Sequence, residues 1–441
     1  MSSENPLPRR TSRAPRGAWL AITAIAVAGL LQSRPAQAAE AVAAALGATV
    51  QGLLDHARAH NPELAGMRAE ADAAGERVQP AGALPDPMVR LELMDINNLT
   101  RTVLPTRAPS RVGEVRYTLL QSLPAWGKRD LRRSVAEADV QQAGARTDVV
   151  WAELATKIKT GYAQYFQAAG SERLTQEVVD LMQRLAQLAQ SRYASGLAGQ
   201  QDALRAQLEL TAMRAELIEL DNNKRQLRAR LNAWLARDTA APLADPAALR
   251  PLPELSTLDA PTLVQRARQH NPQLRAEEAA LLAAQRKSEL TLRNRSPDLQ
   301  VGVSPTQMGS RITSWAVMLE MNIPLQQGTR RAEEREPEAM VSAARARQQA
   351  AANGLLGELG EQLAGMESAR RSEALITTQL LPQSELNLRS ALAAYESGKL
   401  DFAAVLDAQR QSAKARQDRL KVQTEAQMRL AEIERIVGED L

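Results

Sequence analysis

From Lys128 to Arg192 the chain contains no proline and only three glycines, Gly144, Gly161 and Gly170. Those 65 residues predict one uninterrupted helix, which at about 1.5 Å per residue would be roughly 100 Å long. A periodic pattern of this length indicates coiled coil rather than a helix lying on a globular core. Composition agrees: Ala, Leu, Gln, Arg and Glu dominate, and aromatics supply only 3% of the 441 residues, which favours close helix packing over a compact mixed core. Residues 202–236 and 401–437 read as return helices. In the second half, Pro337 is expected to bend the outgoing helix near its start and Pro382 to kink it before the turn.

The chain repeats itself. "HARAHNPEL" ends at Leu64 and "RARQHNPQL" at Leu274, 210 residues later. Tyr193 and Gly196 of "RYASGLAGQQDALRAQ" match Tyr395 and Gly398 of "AYESGKLDFAAVLDAQ" at an offset of 202. The order helix, strand, strand, long helix, turn, long helix occurs in both halves. The expected layout is a first repeat over 39–236 with its tip near 193–202, and a proline-rich linker over 237–261. A second repeat over 262–441 has its tip near 395–402. All three histidines, His56, His60 and His270, sit in the repeated stretches. A metal-binding pair is one reading, since His56 and His60 are one helical turn apart. The second copy has Arg266 in place of His56, so the pair does not survive the duplication. Pro62 and Pro272 suit a first helical turn with Asn61 and Asn271 as caps, and the stretches read better as helix starts.

Four short strands are expected at about 86–94, 113–121, 298–304 and 315–323. Each has an apolar set at odd positions: Val89, Leu91, Leu93; Val115, Tyr117, Leu119; Leu299, Val301, Val303; Trp315, Val317, Leu319, Met321, Ile323. Arg90, Glu92, Glu114, Arg116 and Glu320 lie on the opposite face. A soluble sheet covered by helices would need one of these faces buried, yet the helices are too extended to cover it. A membrane β-barrel wants this arrangement, with apolar side chains to lipid and polar ones to a wet lumen. Tyr117, Trp126 and Trp315 near strand ends fit an interfacial girdle. Four strands cannot close a barrel, and open edges are untenable in lipid. A homotrimer with 12 strands is the simplest closure.

The N-terminus reads as a secretory signal over 1–38: Arg9, Arg10, Arg13 and Arg16, an apolar run "AWLAITAIAVAGLL", then Ala36-x-Ala38. That segment carries five of the 55 basic and one of the 51 acidic side chains, so the remaining chain balances at 50 of each. With no net positive field left, nucleic acid is not expected as a partner. No cysteine is present, which excludes thiolate metal sites, cysteine nucleophiles and disulfides. No Walker loop, no Gly-x-Gly-x-x-Gly and no catalytic triad appears, so neither enzyme activity nor a cofactor is expected.

The paired Asn-Pro-x-Leu helix starts, the strands running into long helices and the two tips together resemble the TolC family of outer-membrane efflux factors, over essentially the whole mature chain. The second tip, Tyr-x-x-Gly followed by Val405-Leu406-Asp407-Ala408-Gln409, is the most specific part. "PDPMVRLEL" with "LLQSLPAWGKR" is most like the heavy-metal-type, CusC-like and CzcC-like members. The resemblance implies a mainly α fold with a small β part. Three copies would build a 12-stranded transmembrane barrel continuous with a periplasmic tunnel. A periplasmic adaptor and an inner-membrane pump, of the resistance-nodulation-division type, would feed it.

It also implies sites. Gly196, Leu197, Gly398, Lys399 and Leu400 would meet the adaptor, although as a turn Gly196 and Gly398 need no such role. Asp407 would line the narrowest point as an acidic ring, with Ala404 where the family often has a second acid. Asp202 and Tyr395 match a contact thought to hold the family's tunnel shut. Leu400 replaces the basic partner expected there, leaving Lys399 next door as substitute. Arg90, Glu92, Glu114, Arg116 and Glu320 would face the barrel lumen, as would Met88, Met94 and Met318, whose thioethers suit soft ions but also ordinary packing. Efflux of drugs or organic compounds, type I secretion, and a soluble periplasmic adaptor are the alternatives. The last explains export and helices but not four strands with a common apolar face.

Overall fold

The computed structural model describes residues 46–94, 113–197, 199–323 and 325–441; the expected signal segment lies outside the described residues. Helices α1 (Val50–His60), α2 (Pro62–Glu76) and the short α3 (Val78–Gly82) lead into β1 (Met88–Met94) and β2 (Glu114–Leu123), then α4 (Lys128–Ala194) and α5 (Gln200–Trp234). After a 3-10 turn at Leu255–Leu258 the order recurs: α6 (Ala260–His270), α7 (Pro272–Arg293), β3 (Leu299–Met308), β4 (Arg311–Met321), α8 (Gln327–Leu375), α9 (Leu381–Glu396) and α10 (Phe402–Val437).

Helix α4 runs for 67 residues, about 100 Å. Its glycines mark close approaches. A Cβ on Gly161 would lie 2.7 Å from the Trp234 ring, and one on Gly170 would lie 2.9 Å from Leu420. Packing runs α5 on α4, α4 on α10, and α10 on α8 and α9, so the long helices form a layer in that order. No helix among the described residues is long and apolar enough to cross a membrane. Helix α8 stays helical through Pro337. The disturbance expected at Pro382 takes the form of a π turn over Ile376–Leu380, where the Leu381 N–H reaches back to Ile376 O. Pro382 has no N–H to give, and the wider turn re-pairs the carbonyls it would orphan.

The repeated Asn-Pro motif has a double task. In each half the asparagine side chain caps its own helix, Asn61 Oδ1 accepting from Leu64 N–H at 3.1 Å and Asn271 Oδ1 from Leu274 N–H at 2.8 Å. Its Nδ2 also donates to the end of that half's return helix, at Trp234 O (2.9 Å) and Ile436 O (2.8 Å). One amide thus satisfies orphan groups at two helix ends. His56 and His60 stack at 4.3 Å. Burial, then the charges of His60 and Arg237, lowers the His56 pKa.

The short helices cover one side of the long ones. Leu53, Leu54 and Ala57 of α1 pack on Leu154, Ile158, Tyr162 and Tyr165 of α4. Leu263 and Ala267 of α6 do the same with Leu359, Met366, Leu430 and Ile433 of α8 and α10. Each fully buried Leu or Ile here contributes roughly 1.5–3 kcal/mol.

The strands form one antiparallel sheet in the order β1-β2-β3-β4, so among the described residues β1 and β4 are open edges. Exposure follows the predicted parity in part: Val89 (77%), Leu119 (53%) and Val303 (41%) face outwards, while Thr118 and Ser304 bury a 2.9 Å hydroxyl pair on the other face. Val115 shares the outward parity but is buried, and β4 is exposed along nearly its whole length on both faces. β3 and β4 are longer than expected. β3 continues through Pro305 to Met308, and β4 starts at Arg311 across a tight turn at Gly309, φ 62°. Pro305 pairs with Trp315 of β4, while the β2–β3 ladder skips it, because a proline has no N–H to donate on that side.

Sheet and helices are joined by Lys128, nearly buried, whose Nζ lies 2.8 Å from Asp298 Oδ1; Asp298 also accepts from Ala125 N–H at 2.8 Å. Burial alone would raise the Asp298 carboxyl, but the hydrogen bonds from Lys128 and Ala125 outweigh it and hold the pKa below its ordinary value. A depressed folded pKa means that this stabilisation is complete above the unfolded value of about 3.9 and is lost as pH falls through the lower folded value. Asp298→Asn is expected to remove that acid-induced step from melting curves between pH 7 and pH 3, and to lower the neutral-pH melting temperature by leaving the Lys128 ammonium without its carboxylate.

Candidate functional site at the hairpin tips

The far ends of the two hairpins lie together. Each closes with the same glycine-centred cap. Gly196 (φ 68°) is followed by Leu197 N–H to Arg192 O at 2.8 Å, and Gly398 (φ 72°) by Lys399 N–H to Ala394 O at 2.9 Å. A side chain at either position would have to enter the left-handed region. Asp401 caps α10 through Ala404 N–H at 3.1 Å, while Asp202 sits in the first turn of α5, where an acid favours the helix dipole. A common apolar core of Met182, Leu185, Ala206, Tyr395, Phe402 and Val405 joins the hairpins.

Tyr395 is the pivot of this core. It is buried, packs edge-on to Phe402 at 5.6 Å and lies under the Arg192 guanidinium at 5.0 Å. Arg192 Nη1 also donates to Tyr395 O at 2.5 Å. The Tyr395 hydroxyl has no hydrogen-bond partner among the described residues. Burial, then the Asp202 charge, pushes its pKa up, with Arg192 opposing. Asp202 and Tyr395 are therefore within electrostatic reach of each other without a hydrogen bond. Lys399 is exposed, and its side chain has no ion pair or hydrogen bond among the described residues. Leu197 is exposed and Leu400 partly buried.

Two further arginines tie the hairpins. Arg410 of α10 grips Glu209 of α5 with both ends of its fork, at 3.0 and 2.7 Å. Arg416 of α10 reaches Glu177 of α4 at 3.2 Å and Glu385 of α9 at 3.0 Å. Asp407 is exposed one turn before Arg410, and its charge adds to the rise in the Arg410 pKa that Glu209 mainly causes. An acid ring at Asp407 would thus be partly balanced by a neighbouring cation.

At the other end, Arg116 lies 3.4 Å and Arg90 3.9 Å from Glu92. Glu114 pairs with Met94 across β1 and β2, and Glu320 with Gln300 across β3 and β4. These five charges share the face opposite Val89 and Leu319.

Residues 53–237 and 263–439 match the family described as outer membrane efflux protein. The chain belongs to that family. Along 396 residues it is 24% identical to the cobalt-zinc-cadmium resistance protein CzcC of Cupriavidus metallidurans, covering 88% of this chain and 90% of that one. Among solved structures it resembles CusC, described as forming a transmembrane channel (TM-score 0.76, 17% identity, 88% and 92% covered). It also resembles the outer membrane protein VceC of Vibrio cholerae (TM-score 0.74, 16% identity, 88% and 96% covered). The strands joined to long paired helices are thus the efflux family's fold.

Sequence reasoning named Asp202, Tyr395 and Asp407 but passed over Arg192, Glu209 and Arg410. One signal was available. Arg192 precedes Tyr193 in the first tip, and the equivalent residue of the second tip is Ala394. A cation kept by only one copy of a repeat marks a contact between the copies.

Proposed function

We propose that the chain is one subunit of a homotrimeric exit duct, conducting substrate passively from a periplasmic adaptor and an inner-membrane pump to the exterior. The observation that carries this reading is a four-stranded sheet, open at both edges and apolar on its outward face, set on helices about 100 Å long. Three such sheets would close edge to edge, which alone satisfies the backbone in lipid. The long helices would close in the same way. The free side of α5 exposes Leu204, Leu208 and Ile218, and the α8–α9 end of the layer exposes Leu375, Leu380 and Leu386. Apolar rows at the two ends of one layer suit contact with a second copy.

The pairing makes a direct test. Leu208→Glu with Ile218→Lys is expected to convert the heat-modifiable, outer-membrane trimer into monomer, while the equally exposed Leu197→Ser leaves it intact. A wild-type chain that fractionates as a detergent-independent monomer would rule out the duct.

Heavy-metal cations are the proposed substrate class, on the strength of the likeness to a cobalt-zinc-cadmium resistance protein. A strain lacking this protein should lose resistance to cobalt, zinc or cadmium and regain it on complementation. Unchanged metal tolerance with new sensitivity to organic compounds would reassign the cargo.

A further inference from the structure

We infer that the junction between sheet and helices is a basic collar that seats on anionic phospholipid headgroups of the helix-side leaflet. The inference rests on the membrane-spanning reading of the sheet. Where the strands end, at Leu123, Leu299 and Met321, three segments converge: 128–137, 293–298 and 327–336. Together they hold nine Lys and Arg residues against six Asp and Glu.

Their pairing matters more than their number. Lys128, Arg133 and Arg295 are matched with Asp298, Glu137 and Glu334. Four others spend donors on backbone carbonyls. Arg129 donates to Gly82 O at 3.0 and 2.8 Å, and Arg293 to Trp126 O at 2.8 Å. Arg330 donates to Asn294 O at 3.0 Å, and Arg335 to Arg331 O at 3.1 Å. A carbonyl fixes a guanidinium in place but does not cancel its charge. Among the described residues none of these four has an ion-pair partner within 4.0 Å, although Arg330 feels Glu334 at longer range. A guanidinium has five donors, so each retains several for phosphate oxygens, which it engages as a fork.

The collar also has the right neighbour. Trp126, whose carbonyl Arg293 holds, is 91% exposed, and Ile323 and Leu325 beside the end of β4 are exposed too. An amphipathic ring at the end of an apolar strand face marks headgroup depth. Fixed, unneutralised cations immediately beyond it meet the phosphates there, and such cations favour anionic lipid over zwitterionic lipid.

Quenching of tryptophan by brominated lipid tests this. The full chain carries Trp19→Phe throughout and here Trp315→Phe as well, so that Trp126 reports the collar, while Trp151 and Trp234 stay packed against the core between α1, α4 and α5. It is reconstituted in phosphatidylcholine vesicles containing either brominated phosphatidylglycerol or brominated phosphatidylcholine. At low salt the anionic lipid should quench Trp126 about fivefold more effectively, and 0.5 M NaCl should erase the difference. Arg129→Gln, Arg293→Gln, Arg330→Gln and Arg335→Gln together should erase it as well. Trp315, read in a Trp126→Phe chain, sits mid-strand in β4, away from the junction, and should show no preference. Equal quenching of Trp126 by both lipids, with Trp315 quenched, overturns the collar and leaves the barrel standing. A preference that survives salt and all four substitutions overturns it too. If neither tryptophan is quenched, the membrane-spanning reading falls with the collar.

Discussion

Glu434→Ala is expected to abolish stable assembly at 37 °C, the largest single-residue loss in this molecule. Glu434 is only 3% exposed and lies at the crossing of α4, α10 and the inter-repeat linker. It accepts from Lys159 Nζ at 2.7 Å, from both Arg250 nitrogens at 3.0 Å, and from Leu441 N–H at 3.2 Å. Lys159 is itself 8% exposed and also donates to Asp440 at 2.5 Å. Removing the central carboxylate leaves the Arg250 guanidinium without its fork partner and leaves the buried Lys159, among the described residues, only Asp440, whose side chain is 73% exposed. Breaking such a pair from one side costs about 3–5 kcal/mol, a large share of the roughly 5–15 kcal/mol that holds a domain folded. Urea titration of the purified protein should show the midpoint falling without a change of slope. The triple change Lys159→Met, Arg250→Met and Glu434→Leu should recover most of the loss, since apolar side chains in place of all three charges avoid desolvating any of them. A single variant as stable as the parent would mean that water reaches the site and that the cluster contributes little.

How far the sequence discloses such a network depends on distance along the chain. The long helices, the tip glycines and the period-two strands are patterns within one continuous stretch of chain, and each is visible without knowing what packs on it. Asn61 and Asn271 as caps are local too, and were legible. Their second bonds, to Trp234 O and Ile436 O, were not, because nothing near residue 61 announces what residue 234 will need. Lys159 and Glu434 are 275 residues apart, and their neighbours look like any solvated helix face. The passage of β3 through Pro305 was hidden for another reason. A proline argues against a strand unless one knows which side of the ladder it faces. At the tip, the resemblance supplied Tyr395 and Asp407 by position, but the cation that packs on Tyr395 comes from the other hairpin. It could be found only by asking where the repeat is broken.

That asymmetry leads to the second large effect. Arg192→Ala combined with Glu209→Ala should raise the ion conductance of the reconstituted channel several-fold in the absence of any partner protein. The two substitutions cut separate ties between hairpins, Arg192 to Tyr395 and Glu209 to Arg410. Neither strands a buried charge, since Arg410 is about three-fifths exposed and Tyr395 is neutral. What is lost is the hydrogen bonding of charged groups, nominally 1.5–3 kcal/mol each but reduced here by solvent screening, so about 2 kcal/mol for the pair is a fair expectation. A shift of that size moves an equilibrium some thirtyfold, enough to take a rarely open tip to one open a substantial part of the time. In the proposed trimer, Asp407→Asn would separate these arginine ties from an acidic ring. It should alter cation preference, measured as reversal potential across a salt gradient, while leaving the frequency of opening near that of the parent. Tyr395→Phe should do neither, because its hydroxyl bonds nothing among the described residues and its ring keeps both Phe402 and Arg192. If the double variant conducts like the parent while Asp407→Asn opens the channel, closure belongs to the ring, and the arginine ties only align the helices.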